Sequence, residues 1–129
     1  MSNSAIICVD DEVVILDSLK EQLKRQFGDR YIYEVAESAE EAWEVIEELQ
    51  EENIEIMIIV SDWLMPGIKG DEFLIQVHQT FPQLITVMLT GQADSEAIAR
   101  AKQQANLYAC LHKPWTEAEL SGIINSALG

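Results

Sequence analysis

At 129 residues the chain is sized for a single domain with a core of its own, and its 48% hydrophobic content sets it apart from a disordered acidic tail. Twenty-three acids against eight bases give a formal charge of −15, which argues against a nucleic-acid-binding surface. No run approaches the ~20 apolar residues of a membrane span, and the opening residues lack the basic-then-apolar order of a secretory signal, so a cytoplasmic protein away from membranes is the expectation.

Residues 5–9 form a short apolar run, read as a buried strand, that stops at Asp10-Asp11-Glu12. From Val13 the period becomes helical, with Leu16, Leu19, Leu23 and Phe27 on one face and Gly28 just past the end. Residues 31–36 mix aromatic and β-branched side chains and suit a less buried strand. Ser38-Ala39-Glu40-Glu41 has the spacing of a capping box, and Ala42, Val45, Ile46 and Leu49 make the buried stripe of the helix it opens. Ile56 to Val60 is an unbroken apolar run, the pattern of a strand covered on both faces. It ends at Asp62, and Met65-Pro66-Gly67 and Gly70 then turn the chain out of the sheet.

Phe73, Leu74, Val77 and Phe81 predict a helix ended by Pro82, and residues 84–89 a strand closing on Thr90-Gly91. Asp94 or Ser95 can cap a helix carrying Ala97, Ile98, Ala101 and Ala105. Residues 107–111 read as a fifth strand, followed by His112-Lys113-Pro114-Trp115. Thr116-Glu117-Ala118-Glu119 repeats the capping-box spacing before a last helix with Leu120, Ile123, Ile124 and Ala127. Cys8 and Cys110 both fall in strand-like apolar runs and are expected to be buried, reduced thiols.

Five strands alternating with five helices predict a doubly wound α/β domain with a parallel sheet, filling residues 1–129. In a parallel sheet every strand's carboxyl end lies on one edge, where ligands bind. Four polar signals stand there: Asp10-Asp11, Asp62, Thr90 and Lys113. Neighbouring carboxylates repel and call for a counter-ion, and an oxygen-rich set suits a hard cation, Mg²⁺ first among them. An aspartate beside such a cation, a lysine and a threonine hydroxyl has what is needed to accept a phosphoryl group.

Val9-Asp10-Asp11, Asp62 with Met65-Pro66 and Gly70, Thr90, and Lys113-Pro114, in this order and at these strand ends, make the chain resemble the receiver domain of bacterial two-component response regulators. The resemblance runs from about residue 4 to residue 128. It implies a flavodoxin-like sheet of strand order 2-1-3-4-5 and a switch that takes a phosphoryl group from a histidine kinase or phosphotransfer protein. Asp62 would be the phosphoacceptor and Mg²⁺ the cofactor, held by Asp11, Asp62 and the Leu64 carbonyl, with Asp10 acting largely through water. Thr90 would be the switch hydroxyl, Lys113 the ion-pair partner of the phosphate, and the Lys113-Pro114 bond cis. A downstream effector protein or domain would read the change, and a homodimer stays open. The switch would not be a metabolic enzyme, although it holds part of the chemistry of phosphotransfer and self-dephosphorylation.

Simpler readings stand beside these. Asp10 or Asp11 alone could cap the first helix, Thr90 could be an ordinary loop hydroxyl, and Lys113 could be a solvated lysine. His78 and His112 have no second ligand at zinc spacing. Trp43 is expected on a helix flank, Trp63 and Trp115 beside the site, either shaping its rim or serving only as loop packing, and Glu47, Glu48, Glu51 and Glu52 on a solvated helix end.

The chain departs from the family at Cys110, where receivers usually place Tyr or Phe. Tyr108, two residues earlier, projects from the same strand face and is expected to carry part of that role. Leu64 and Gln92 would flank the path of hydrolytic water, and apolar Leu64 is expected to slow loss of the phosphoryl group. Two other functions stay open, a phosphorylation-independent interaction domain and an aspartyl-phosphate phosphatase of the haloacid-dehalogenase kind. The phosphatase would want a second acid at position 64. A flavodoxin-like cofactor binder is disfavoured, because acids rather than a phosphate-binding loop follow the first strand.

Overall fold

The structure, a computed structural model, describes residues 3–91 and 95–129. The chain runs β1 (Ser4–Val9), α1 (Val13–Phe27), a short 3₁₀ turn (Gly28–Arg30), β2 (Ile32–Ala36), α2 (Ala39–Glu51), β3 (Glu55–Asp62), α3 (Gly70–Thr80), β4 (Ile85–Thr90), α4 (Ser95–Gln104), β5 (Ala109–His112) and α5 (Glu117–Leu128). The strands pair in parallel in the order β2-β1-β3-β4-β5, the flavodoxin-like arrangement expected from the sequence.

Period-two alternation divides each central strand between two cores. Ile7, Val9, Ile59 and Met88 face α2, α3 and α4, where they meet Ala42, Ile46, Phe73, Leu74 and Ala101. Ile6, Cys8, Ile58, Val60, Val87 and Leu89 face α1 and α5, meeting Leu16, Leu19, Leu23, Leu120 and Ile124. Burying each such large side chain contributes roughly 1.5–3 kcal/mol, so these two layers fix the strand register and the position of every strand end. Among the described residues no helix is long and apolar enough to cross a membrane.

Local signals explain the element boundaries. Gly28 sits at φ 57° and donates its N–H to the Lys24 carbonyl, ending α1 as a glycine C-cap does. Thr116 and Glu119 form a complete capping box: the Thr116 side chain accepts from Glu119 N at 3.1 Å, and Glu119 Oε1 accepts from Thr116 N at 3.0 Å. The box at Ser38 is half formed, because the Glu41 carboxylate takes the N–H of Glu37 instead of that of Ser38.

The fifth strand is shorter than its apolar run predicts. Leu107 gives its N–H to the Ala101 carbonyl at 3.2 Å and finishes the end of α4, so the ladder with β4 begins at Ala109. Cys8 is buried as expected, whereas Cys110 is only half-buried. Ser95 opens α4; Asp94, the other expected cap, lies outside the described residues.

Candidate functional site

The strand order reverses between β1 and β3: from β1 the chain moves outward to β2, and from β3 it moves the other way to β4 and β5. The two strands diverge in their connections there, leaving a crevice at their carboxyl ends, the place where doubly wound folds bind ligands. Asp10 follows β1 on one side of it and Asp62 ends β3 on the other.

Asp10 is fully buried. Its N–H bonds the Ala36 carbonyl at 3.1 Å, its Oδ1 accepts from Glu12 N at 2.9 Å, and its Oδ2 takes Lys113 Nζ at 2.8 Å. One carboxylate thus shapes the entry to α1 and also holds the lysine. The cap expected from Asp10 is not formed: the N-cap of α1 is Glu12, without a side-chain cap bond, and Asp10 holds the N–H of that residue instead. Asp11, the next residue, is exposed, and ligand oxygens of Asp10, Asp11 and Asp62 all lie within 4.8 Å of one another.

Lys113 comes from the far side of the sheet. Its N–H bonds the Thr90 carbonyl at 2.9 Å, and the cis Lys113-Pro114 peptide turns the chain away directly afterwards. The side chain reaches across β4 to place Nζ 3.1 Å from Asp62 Oδ1 as well as on Asp10. Burial alone would lower the Lys113 pKa, but hydrogen bonds and charge from Asp10 and Asp62 reverse this and raise it. The amine therefore stays an ammonium ion. Burial is also the main cause raising the Asp62 carboxyl above its ordinary value; the charges of Asp10 and Asp11 add to it and Lys113 opposes it.

Thr90 is buried at the end of β4. It lines, with Asp11, Asp62, Leu64, Met65 and Lys113, an open cavity of about 580 Å³. The loop after Asp62 approaches so closely that only glycine fits at position 70. Gly70 N bonds the Trp63 carbonyl at 2.7 Å, and a Cβ there would fall 2.0 Å from the Asp62 carbonyl oxygen. Gly67, at φ 83°, supplies the left-handed turn that Pro66-Gly67 announced.

The flanking residues divide. Trp63 lines the cavity under the Lys69 ammonium, 5.1 Å from its ring. Trp115 instead ties the loop after β5 to α1 through Gln22 at 2.8 Å. Gln92 lies outside the described residues. Tyr108 precedes β5, stays 45% exposed and meets Ser126 Oγ of α5 through its hydroxyl, sharing a groove with Cys110. Sequence reasoning missed Asp71. It is completely buried in the first turn of α3 and paired with Arg100 of α4. An acid in a helix's first turn already has a local reason to be there, so nothing in the sequence signalled its burial.

A doubly wound domain with an acid-and-lysine pocket at its switch point is the class that these observations define. Residues 6–125 match the family of the response regulator receiver domain, and the chain belongs to that family. It is 30% identical, over 97% of its length, to the hydrogenase transcriptional regulatory protein HoxA of Cupriavidus necator, of which it spans 24%. It is 26% identical to a chemotaxis protein CheY homolog of Campylobacter jejuni, with 96% of this chain and 92% of that one covered. Its fold matches the signal receiver domain of an HD domain-containing protein from Pseudomonas fluorescens with a TM-score of 0.86 at 29% identity, covering 97% of this chain and 94% of that chain.

Proposed function

We propose that the chain is a single receiver domain over residues 1–129 in which Asp62 accepts a phosphoryl group from the phosphohistidine of a histidine kinase or phosphotransfer protein. The observation that carries this reading is the Lys113 ammonium, bonded at once to Asp10 and Asp62 at 2.8 and 3.1 Å beside the exposed carboxylate of Asp11. A pair buried merely for stability would be closed to solvent; this one opens into a cavity.

The clustered donors are all oxygens, and three carboxylates exceed the one ammonium that faces them, which fits a hard divalent ion. Asp11, Asp62 and the Leu64 carbonyl would hold Mg²⁺ directly and Asp10 through water. When bound, the ion supplies positive charge toward the phosphoryl oxygens. The chain's own groups do the rest. An Asp62 oxygen attacks phosphorus as the phosphorus–nitrogen bond breaks, its electron pair returning to the imidazole. Lys113 passes from the Asp62 oxygen to a phosphoryl oxygen while Asp10 keeps it in place, and the Thr90 hydroxyl donates to another.

The dianionic product biases a pre-existing equilibrium of the loops after β3 and β4 and of the face built from α4, β5 and α5, where an effector protein or domain binds. Such a chain works as a cytoplasmic switch whose product is a changed surface rather than a metabolite. Incubation with Mg²⁺ and acetyl phosphate, followed by intact-mass measurement, tests the reading. The expected gain is one phosphoryl group, absent when EDTA replaces Mg²⁺ in the incubation and absent in Asp62→Ala. A folded wild-type chain that gains nothing would leave the phosphorylation-independent interaction domain as the better account.

A further inference from the structure

At the sheet edge opposite Asp62, α2 and α3 both end beside a cavity of about 450 Å³. Its apolar wall is Ile54, Ile56, Phe81 and Leu84, each partly buried against the core beneath α2–α4 and partly open. Because two helices end here, the negative ends of two helix dipoles converge on one rim. Basic residues commonly compensate such an end, yet the last turn of α2 has none. Glu48, Glu51 and Glu52 stand there instead, and residues 31–68 contain no lysine or arginine at all.

Glu44 and Glu48, Glu47 and Glu51, and Glu48 and Glu52 are each four apart, a spacing at which like charges destabilise a helix. All five carboxylates are exposed, and none forms an ion pair among the described residues. A bland solvated face would mix signs; this one is uniformly anionic and flanks an apolar hollow. The complement is an apolar side chain carried among cations. Its acids extend along α2 from Glu40 to Glu51, about 16 Å at the helical rise, further than a small amine would span. Nucleic acid and anionic lipid have the wrong sign.

We propose that this edge docks a partner protein through a Lys- and Arg-rich amphipathic segment. An apolar side chain of that segment fills the hollow against Phe81, and its cations lie along the α2 carboxylates. The surface is on the far side of the sheet from the phosphoacceptor pocket and does not depend on it, so unphosphorylated protein suffices for the test.

The probe is a synthetic amphipathic Leu/Lys helical peptide, with an oligolysine of equal charge for comparison. Binding is followed by fluorescence anisotropy and mapped by ¹H–¹⁵N NMR. The expected result is that the Leu/Lys peptide binds at least about tenfold more tightly than oligolysine and shifts amides at residues 47–56 and 80–84. Glu47→Gln/Glu51→Gln/Glu55→Gln is expected to weaken it by about tenfold or more, and the charge-matched control Asp17→Asn/Glu72→Gln/Glu96→Gln by less than about twofold. Circular dichroism melts verify that both triple variants fold. No binding, equal binding of oligolysine, equal weakening in the control, or shifts spread over other faces would each overturn the proposal. So would sedimentation showing that a second copy of the chain occupies this edge and excludes the peptide.

Discussion

Asp62 carries its charge in an unfavourable setting. Burial and the neighbouring acids raise its carboxyl above the ordinary value despite Lys113. A carboxyl raised by folding contributes stability while it is protonated and loses that contribution as pH climbs through its folded value. Asp62→Asn is therefore expected to raise Tm at neutral pH by a few degrees, the scale of about 1 kcal/mol in a domain of this size. The gain should shrink toward zero in acid, where the wild-type carboxyl is protonated in both states. Parallel melts across pH check it, and a gain that did not change with pH would tie the effect to something other than this charge. Leu64 makes a second point at the same scale. Leu64 is 56% exposed yet lines the cavity beside Asp62, so an apolar group borders the space that, on the proposed function, hydrolytic water would have to cross. In Leu64→Asn the phosphorylated form is expected to decay several-fold faster by mass spectrometry; unchanged decay would dismiss the shielding role.

Between elements, the pair of Asp71 and Arg100 joins α3, which follows the loop after Asp62, to α4, which follows the strand ending in Thr90. Asp71 is wholly buried and its second oxygen has no hydrogen-bond partner among the described residues, so the carboxylate depends on the guanidinium. Removing one partner of a buried pair leaves an uncompensated charge, which costs about 3–5 kcal/mol in the fully buried limit. Because half of the Arg100 side chain is exposed, Arg100→Met is expected to destabilise by about 2 kcal/mol. Asp71→Leu/Arg100→Met is expected to be the more stable of the two variants in urea melts. Equal stabilities would show that the pair is not coupled. This contact was invisible in the sequence because nothing local demands it, and the same holds for the Arg25–Glu117 bridge between α1 and α5. What was legible followed short-range rules: strands from apolar runs, helix starts from Ser38 and Thr116, and the loop after Asp62 from Pro66, Gly67 and Gly70. The expected start of β5 at residue 107 failed because an apolar residue closing a helix and one opening a strand look alike in a pattern of hydrophobicity.

For the whole molecule, the parallel sheet made the pocket readable across a hundred positions. Once each apolar run is taken as a strand, topology alone gathers Asp10, Asp62, Thr90 and Lys113 at one edge. The same global view exposes an imbalance that no single contact shows. Eight bases face twenty-three acids, so repulsive pairs outnumber attractive ones, and the folded state holds them closer than the unfolded chain does. Salt acts on the two kinds of pair unequally. The Debye length falls from about 30 Å at 0.01 M to about 8 Å at 0.15 M, which screens the exposed acids of α2. The Lys113 links to Asp10 and Asp62, buried at the pocket floor, are screened much less. Raising NaCl over that range in EDTA is therefore expected to increase Tm by several degrees, with a smaller increase in Glu44→Gln/Glu47→Gln/Glu51→Gln. Calorimetry at the two salt concentrations measures both. A Tm that stayed flat or fell would mean that surface attractions, and not the excess of acids, dominate the electrostatics of the fold.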